Sequence, residues 1–387
     1  MINRNREISK YAFLFVVVAA FISNILKLVA RPTTGWDHDI YCKAAEAWNA
    51  GLDPFITENL GLKLSYTYPV LFLSLYQYVC GIRFVFIYID ALLLIAITWL
   101  LVRKLSSDWV IATPFMLLGY NSAYSNVESG NLGIIEAFLL VLGIVAAINH
   151  KKWCSLFLVP MSFLKVVPAV MVIPLWLSNI KWKDRFVQVF IFICGVGSLV
   201  FANYFLSPGL FFSFIKQATG GYSNQHSPIS EMDSNASNPT VIIFLKNLSI
   251  MIYSQFWLPV FLIFIVGLGC LTYWVWKSTI RFEKEPLYKI CWSYLLILLW
   301  IPRLKPYALI LLCVVMVPIL SKLPKRFSIS ILLLTIFHRV INGTKTNPWW
   351  ELISNNTAIY TMIAVLILMT LRWREHRFSI ASTAEAK

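Results

Sequence analysis

Long apolar runs separated by short polar stretches recur along the whole chain. Several runs approach the ~20 residues that an α-helix needs to cross a lipid bilayer. Runs of this length lie at 11–30, 84–102, 186–206 and 256–276. The pattern predicts an all-α, polytopic transmembrane protein with about twelve helices, including short and broken ones. We expect residues 1–387 to form a single integral membrane domain.

Some apolar stretches are too short or too interrupted to cross as simple spans. The stretch 68–80 is predicted to be re-entrant or interfacial, and 240–254 to be interfacial. Three prolines and Lys165 interrupt the run 153–177, and basic residues flank it on both sides. Basic ends on both sides predict a hairpin of two short helices, with Lys165 near its tip.

The composition supports a membrane protein and argues against a nucleic-acid partner. Only 13% of the residues are charged, 59% are hydrophobic and the mean hydropathy is +0.71, whereas soluble domains carry about 25% charge. The net charge is +15, but the Lys and Arg residues lie mostly in short loops between apolar runs. That bias is typical of cytoplasmic loops, so no nucleic-acid binding is expected.

The same bias predicts the topology, with both termini cytoplasmic and an uncleaved first span. Two large loops are then outside: an acidic one at 31–67, and one rich in Ser, Asn and Gly at 207–240. Within the first loop, residues 40–49 are predicted to form an interfacial helix. The polar stretch 121–131 is predicted to be a further outer loop.

The sequence lacks the usual signatures of cofactor sites. Its seven cysteines are scattered without CxxC spacing, so neither a zinc site nor a disulfide framework is expected. It has no Gly-rich phosphate loop, so no nucleotide site is expected either. We therefore predict no metal and no bound cofactor.

Ionisable residues of both signs collect on the predicted outer side. The acidic residues are Asp37, Asp39 and Glu128, and the basic ones are Lys165, Arg303 and Lys305. A carboxylate can take a proton from a sugar hydroxyl. Cations can hold a phosphate and stabilise the charge that develops on it as it leaves. Together they indicate group transfer from a phosphate-linked donor at the outer face of the membrane.

Each of these residues also has a structural interpretation. Asp37 could cap the helix at 40–49, and Lys165 could extend its ammonium to the membrane interface. The outside position predicted for Arg303 and Lys305 could result from an error in the predicted membrane topology. The remaining polar candidates could be ordinary loop residues: Asn126, Glu128, Asn131 and His226.

The stretch GWDHDIYCKAAEAWNAGLDPF, followed by YTYPVLF, resembles the opening signature of the multi-pass glycosyltransferases of the GT-C class. The similarity is greatest to glycosyltransferase family 87, the polyprenyl-phosphate-mannose-dependent α-mannosyltransferases and their relatives. The matching positions are Asp37, Ile40, Tyr41, Ala44, Ala45, Gly51, Asp53, Pro54, Tyr66, Tyr68 and Pro69.

Later elements of the family pattern follow in order along the chain. They match at Asn126 and Gly130, at Leu164, Lys165 and Pro168, and at Asn224 and Gln225. Three positions depart from the pattern: Val70 replaces a second Pro, Asn131 a Gln and Gly133 an Asn. The departures at Asn131 and Gly133 leave the identity of the sugar open.

The resemblance implies an inverting transferase of the cytoplasmic (inner) membrane whose active site faces outward. The donor would be a polyprenyl-phosphate mannose or related hexose, and the acceptor a lipid-linked or envelope glycan. Asp37 would be the catalytic base, and Lys165 with Arg303 or Lys305 would hold the lipid phosphate. The remaining substrate contacts would come from Asp39, Tyr41, Tyr66, Tyr68, Asn126, Glu128, Asn131, Gln225 and His226.

A transporter or flippase for a lipid-linked glycan is the alternative, since it also needs broken helices and charges within the membrane. Such a protein should have related halves and charges near the middle of the membrane. Here the charges cluster at the predicted outer face. A non-catalytic assembly subunit would leave the paired acids and cations unexplained.

Overall fold

The computed structural model of the chain describes residues 2–29, 35–62, 66–81, 85–165, 170–178, 181–218, 239–301, 304–336, 349, 352, 356–368 and 370–371. Within these ranges the regular structure is entirely helical. The α-helices are α1 (Ile2–Val29), α2 (Trp36–Asn49), α3 (Thr57–Leu60), α4 (Val70–Tyr76), α5 (Val85–Arg103), α6 (Trp109–Leu118), α7 (Ser122–Ser129), α8 (Gly133–Ile148), α9 (Val159–Leu164), α10 (Val172–Ser178), α11 (Trp182–Leu206), α12 (Pro208–Ala218), α13 (Val241–Ile252), α14 (Trp257–Ser278), α15 (Pro286–Trp300), α16 (Leu309–Lys322), α17 (Lys325–Ile336) and α18 (Thr357–Leu368).

Four helical segments in the described ranges are long and apolar enough to cross a membrane. Lys10–Leu28 lies in α1, Phe86–Arg103 in α5 and Trp182–Leu206 in α11, and Ser254–Phe282 consists of α14 with a 3₁₀ turn on each side. Their outer surfaces expose large apolar side chains such as Phe15, Leu92, Phe190 and Ile263. In water such surfaces would be costly, whereas a lipid environment accommodates them. The predicted polytopic, all-α fold is confirmed.

The shorter apolar helices form the interior. In α16 every residue from Leu309 to Leu320 is buried, as expected of a helix that is hydrophobic all round. α15 packs beside it and buries Trp292 and Tyr294. The Tyr294 hydroxyl donates to the backbone carbonyl of Met171 next to α10, which joins the core to the 153–178 segment.

The broken run 153–177 forms two short helical arms, as the prolines predict. A 3₁₀ turn (Cys154–Leu158) and α9 make the first arm, and α10 makes the second. Lys165 is at the end of the first arm. The stretch 68–80 likewise contains only the seven-residue helix α4, far too short to cross a bilayer.

Two segments predicted to be loops are helical instead. The polar stretch 121–131 contains α7, and most of that helix is buried. Two of its serine hydroxyls donate to nearby backbone carbonyls, Ser122 to Gly119 and Ser129 to Ser125, which lowers the cost of burying them. The loop at 207–240 begins with α12, which packs on the first loop through a 2.6 Å hydrogen bond from Ser213 Oγ to Asp53 Oδ2.

The basic loops meet at one end of the helices. The Tyr11 ring of α1 lies 5.6 Å from the Trp109 ring, between ring centroids. The backbone N–H of Asp108 donates a 3.0 Å hydrogen bond to Ser321 Oγ, and the Asp108 carboxylate lies 3.7 Å from Lys325 Nζ. Arg103 and Lys104 therefore share an end of the bundle with the N-terminal part of α1. Asp37, Asn131 and Lys165 lie at the opposite end, where α5, α8 and α16 begin.

Candidate active site

The start of α2 is fixed by two glycines. Gly35 precedes the helix with a left-handed φ of 86°, and its N–H donates to the Glu128 carbonyl at 2.8 Å. Gly130 also has a positive φ, and a Cβ there would lie 3.2 Å from the Gly35 Cα. Only glycine adopts a positive φ and allows so close an approach of two backbone segments at low cost. The helix consequently begins at Trp36, not at residue 40 as predicted, so Asp37 lies in its first turn.

Asp37 does not cap this helix. Gly35 is the capping residue, and no side chain makes the cap hydrogen bond. The carboxylate of Asp37 instead accepts a 2.7 Å hydrogen bond from Asn131 Nδ2, between α7 and α8. Proximity to the positive end of the α2 dipole favours its ionised form.

Asn131 connects Asp37 to a buried ion pair. Its Oδ1 accepts from Lys165 Nζ at 3.1 Å, and Lys165 Nζ lies 2.6 Å from Glu136 Oε1. The Glu136 side chain is 2% exposed and that of Lys165 22%. A carboxylate can only accept and an ammonium can only donate, so the two neighbours determine the orientation of the Asn131 amide. Four side chains from three segments thus form one polar chain.

Two aromatic rings flank the Lys165 ammonium. Its Nζ lies 5.9 Å from the centroid of the Tyr68 ring and 5.1 Å from that of Tyr307. Both distances allow a cation–π attraction. The ammonium is therefore held on several sides, while part of the side chain still faces the surroundings.

Asn126 holds the Tyr307 segment in place. Its Nδ2 donates to the Ser122 carbonyl at 2.9 Å and to the Tyr307 carbonyl at 2.8 Å. A Cβ on Gly133 would lie 2.3 Å from Asn126 Oδ1. The glycine at 133, where the family pattern has Asn, is thus required by the position that Asn126 adopts.

The three tyrosines predicted to contact the substrate form a buried cluster at α2, to which Tyr41 belongs. Tyr41, Tyr66 and Tyr68 are all buried. The Tyr41 hydroxyl donates to Tyr68 Oη at 3.2 Å, and the Tyr66 hydroxyl to the Pro69 carbonyl at 3.0 Å. Their rings pack edge to face or tilted against one another and against Phe72. This aromatic cluster fixes the helix that carries Asp37.

A disulfide adds a covalent tie to the same helix. Cys42 in α2 is bonded to Cys80, just beyond α4, so the expectation that no disulfide forms is wrong. The two cysteines are 38 positions apart, and scattered spacing conceals such a pairing. Next to it, His38 Nδ1 lies 2.7 Å from the Tyr76 hydroxyl, which links α2 to α4 a second time.

Burial raises the pKa of Asp37 above its usual value. The hydrogen bond from Asn131 and the positive charges of Lys165 and Lys305 oppose this rise. Desolvation disfavours the charged carboxylate, whereas the donor and the cations favour it. A carboxyl whose pKa is raised is a stronger base than an ordinary aspartate, which suits it to accept a proton.

The other predicted site residues differ in their exposure and in their relation to Asp37. Asp39 is exposed on α2, and Glu128 is half-buried on α7 and contributes its backbone carbonyl to Gly35. Lys305 lies near enough for its charge to act on Asp37. Three candidates lie outside the described residues: Gln225, His226 and Arg303.

Sequence reasoning missed Glu136 and Tyr307. Glu136 lies inside the apolar run 132–148, and an ionisable residue in such a run is a functional candidate. That signal was present in the sequence. Tyr307 offered no comparable signal, because its role depends on where the backbone of residues 304–308 packs. Among the described residues, no group of three or more His, Cys, Asp or Glu side chains could hold a metal ion.

Comparison with protein families gives one match. The model of glycosyltransferase family 87 matches residues 65–302, more than half of the chain. The match includes Asn131, Glu136 and Lys165, whereas Asp37 lies 28 residues before its start and Lys305 three residues beyond its end. No curated protein and no solved structure matches the chain. The extent of the family match identifies the chain as a member of glycosyltransferase family 87, and therefore as a multi-pass membrane glycosyltransferase.

Proposed function

We propose that the protein transfers mannose or a related hexose from a polyprenyl phosphate to a lipid-linked or envelope glycan. The observation that carries this proposal is the chain of contacts Asp37–Asn131–Lys165. It sets a candidate base and a candidate phosphate ligand on the two sides of one amide. Transfer from a phosphate needs both groups close together.

In the proposed reaction the acceptor hydroxyl attacks the anomeric carbon of the donor sugar. The bond from that carbon to the phosphate oxygen breaks, and its electron pair stays on the polyprenyl phosphate. Asp37 takes the hydroxyl proton. A single displacement inverts the anomeric carbon, so one base is sufficient and no covalent sugar–enzyme intermediate is needed.

Lys165 and Lys305 are the proposed ligands of the donor phosphate. An ammonium has three N–H groups, and Glu136 and Asn131 engage two of them in Lys165. We assign the third to a phosphate oxygen of the donor. The Glu136 carboxylate offsets part of the charge of Lys165, so we assign Lys305 a share in stabilising the departing phosphate. Arg303 is a further candidate from the sequence.

We place this site on the outer face of the inner membrane. Disulfides persist in oxidising compartments and are rare in the cytosol, and Cys42–Cys80 ties together two elements next to the site. The basic loops around Arg103 and Lys325 lie at the other end of the bundle, which is the expected cytoplasmic end. Both features favour the same orientation, with both termini cytoplasmic.

The test is a transfer assay with the purified protein in lipid nanodiscs. A synthetic polyprenyl-phosphate mannose of defined anomeric configuration is supplied with a lipid extract from the envelope as the acceptor. We expect a glycosylated lipid whose new linkage has the opposite configuration by NMR. Retention of configuration would exclude the single displacement. Activity with a nucleotide sugar alone would exclude the lipid-phosphate donor.

A further inference from the structure

An apolar groove runs along the outside of the bundle between α1 and α5. Its larger part is a cavity of about 550 Å³ lined by Val18, Phe21 and Ile22 of α1 and by Leu94 and Thr98 of α5, among others. A smaller cavity of about 140 Å³ continues it and shares Phe21, Ile22, Ala91 and Leu94 with the larger one. The two cavities are therefore one continuous groove.

The groove arises from the way three helices pack. α1 packs on α6 and α7, and α5 packs on α6 and α8. α6 forms the floor with Trp109, Thr113 and Leu117, which lie four residues apart and so share one face of the helix. Ile22 and Ile95 on the two walls are 51% and 66% exposed. The groove thus opens sideways toward the surrounding lipid.

The groove offers a ligand almost no polar partner along its length. The Thr98 hydroxyl is already engaged, since it donates to the Leu94 carbonyl at 2.8 Å. The smaller cavity is lined by aliphatic and aromatic side chains alone. Arg103 is the charged residue among the lining residues, and it lies at the far end. Such a surface suits a hydrocarbon chain.

One end of the groove lies beside the candidate active site. Ile87 and Val127 line this end. Val127 lies between Asn126 and Glu128 on α7, and Ile87 follows Phe86, whose ring stacks on His38 with centroids 5.5 Å apart. His38 is next to Asp37 in α2. Phe86 and His38 thus connect this end of the groove to the first turn of α2, which carries Asp37.

The length of the groove distinguishes between lipid chains. From Ile87 to Arg103 it follows sixteen residues of α5, or about 24 Å at ~1.5 Å per residue. The hydrocarbon core of a bilayer is about 30 Å thick, so an acyl chain of either leaflet reaches only about half of it. A groove that crosses most of the core fits a chain much longer than an acyl chain.

We propose that this groove between α1 and α5 holds the polyprenyl chain of the donor, an inference that rests on the function proposed above. The polyprenyl chain of the donor is separated from the reacting carbon by a single phosphate. The lipid of a glycolipid acceptor is separated from the attacking hydroxyl by its glycan. A chain that starts beside Asp37 and its neighbours therefore belongs to the donor.

The test fills the groove and varies the length of the donor chain. Ala91 lines both cavities, so Ala91→Trp should block the groove at its junction. Leu92→Trp is the matched control, because Leu92 is 66% exposed on the same helix and is not a lining residue. Each variant is assayed with mannosyl phosphates that carry either a long polyprenyl chain or a chain of two isoprene units.

With Ala91→Trp we expect the KM for the long-chain donor to rise about tenfold or more, because the indole would take the place of CH₂ groups of the chain and remove their apolar contacts. The KM for the short-chain donor should stay within about twofold of the wild type, and Leu92→Trp should affect neither donor. An equal effect of Ala91→Trp on both donors would overturn the proposal. So would a long-chain KM that Ala91→Trp leaves unchanged.

A second measurement does not depend on turnover. A polyprenyl phosphate with a photoreactive group along its chain is cross-linked to the wild-type protein and mapped by mass spectrometry. We expect adducts on α1 and α5, and their loss in Ala91→Trp. Adducts on other helices would overturn the proposal that the polyprenyl chain lies in this groove. Adducts in the groove with no transfer from any polyprenyl-phosphate sugar would leave the groove intact and contradict the proposed function.

Discussion

Asn131 donates a 2.7 Å hydrogen bond to the carboxylate of Asp37 and accepts one from Lys165 on its other side. These three residues are far apart in the sequence, and they come from α2, from the turn before α8 and from the end of α9. The amide holds an acid and a cation at a fixed separation. Each prediction below changes one part of this arrangement or of the structure that supports it.

Asp37→Asn should preserve the fold and donor binding but abolish transfer. Asn is nearly the same size as Asp but cannot take the acceptor proton. Loss of a general base costs ~100- to 10,000-fold in rate. Turnover and thermal stability of the purified variant are the measurements. Asp39→Asn is the matched control, because Asp39 is exposed on the same turn of α2, and it should cost much less. If the two results were exchanged, Asp39 would be the base.

Asn131→Ala should move the acidic limb of the pH–kcat/KM profile to higher pH. The Asn131 hydrogen bond lowers the pKa of Asp37 against the effect of burial, so its removal raises that pKa further. A base is active only when ionised, and a higher pKa means that ionisation occurs at higher pH. Lys305→Gln should shift the limb in the same direction, because it removes a positive charge that acts on Asp37.

The control for this profile is Asn149→Ala. Asn149 is exposed at the far end of α8 and bonds to the Val145 carbonyl, so its removal should leave the profile in place. If the acidic limb of the profile did not shift in Asn131→Ala, the ionisation of Asp37 would not be what limits kcat/KM at low pH.

Lys165→Ala should lower both stability and transfer, for separable reasons. Loss of the charged contact to the phosphate should cost about 2–4 kcal/mol in the transition state. Loss of the ion pair leaves Glu136 buried and unneutralised, which costs about 3–5 kcal/mol of folding stability. Lys165→Arg should restore transfer only in part, since a planar guanidinium has the same charge as an ammonium but directs its N–H groups differently.

The double variant Lys165→Met with Glu136→Gln separates the two roles. It removes both charges, so the melting temperature should recover toward the wild-type value while transfer stays low. If transfer recovered together with stability, Lys165 would serve the fold alone and the phosphate ligand would lie elsewhere.

Reduction of Cys42–Cys80 should destabilise the protein and reduce transfer. A disulfide typically contributes about 2–4 kcal/mol, and this one ties α2, which carries Asp37, to the end of α4. Melting curves with and without a reductant measure the effect, and Cys42→Ser with Cys80→Ser is the control that the reductant should not affect. After denaturation without a reductant, a maleimide should modify free cysteines such as Cys194 and Cys270 but neither Cys42 nor Cys80. Labelling of Cys42 before reduction would contradict the bond.

The topology can be tested with single cysteines on a background that lacks the native ones. Glu58 is exposed in the first loop, and Glu58→Cys should react with an impermeant reagent added outside intact cells. Lys104→Cys should react only after the membrane is opened. Outside labelling at position 104 would place the basic end of the bundle outside and would reverse the orientation proposed for the site.

The sequence by itself determined the class of protein and much of the helix order. Apolar runs of bilayer length and prolines within the run 153–177 are local features, and local periodicity is enough to predict them. It also singled out Asp37 and Lys165, because a charged residue in or beside an apolar run is costly and therefore conspicuous.

Only the tertiary structure decided which of these residues meet. The polar stretch 121–131 looked like a loop, since hydropathy does not reveal that Ser122 and Ser129 donate to backbone carbonyls close to them in the sequence. The pairing of Cys42 with Cys80, the Glu136 partner of Lys165 and the bridge through Asn131 all join segments distant in sequence. Such contacts depend on how helices pack against one another, and the order of residues along one helix does not specify its neighbour.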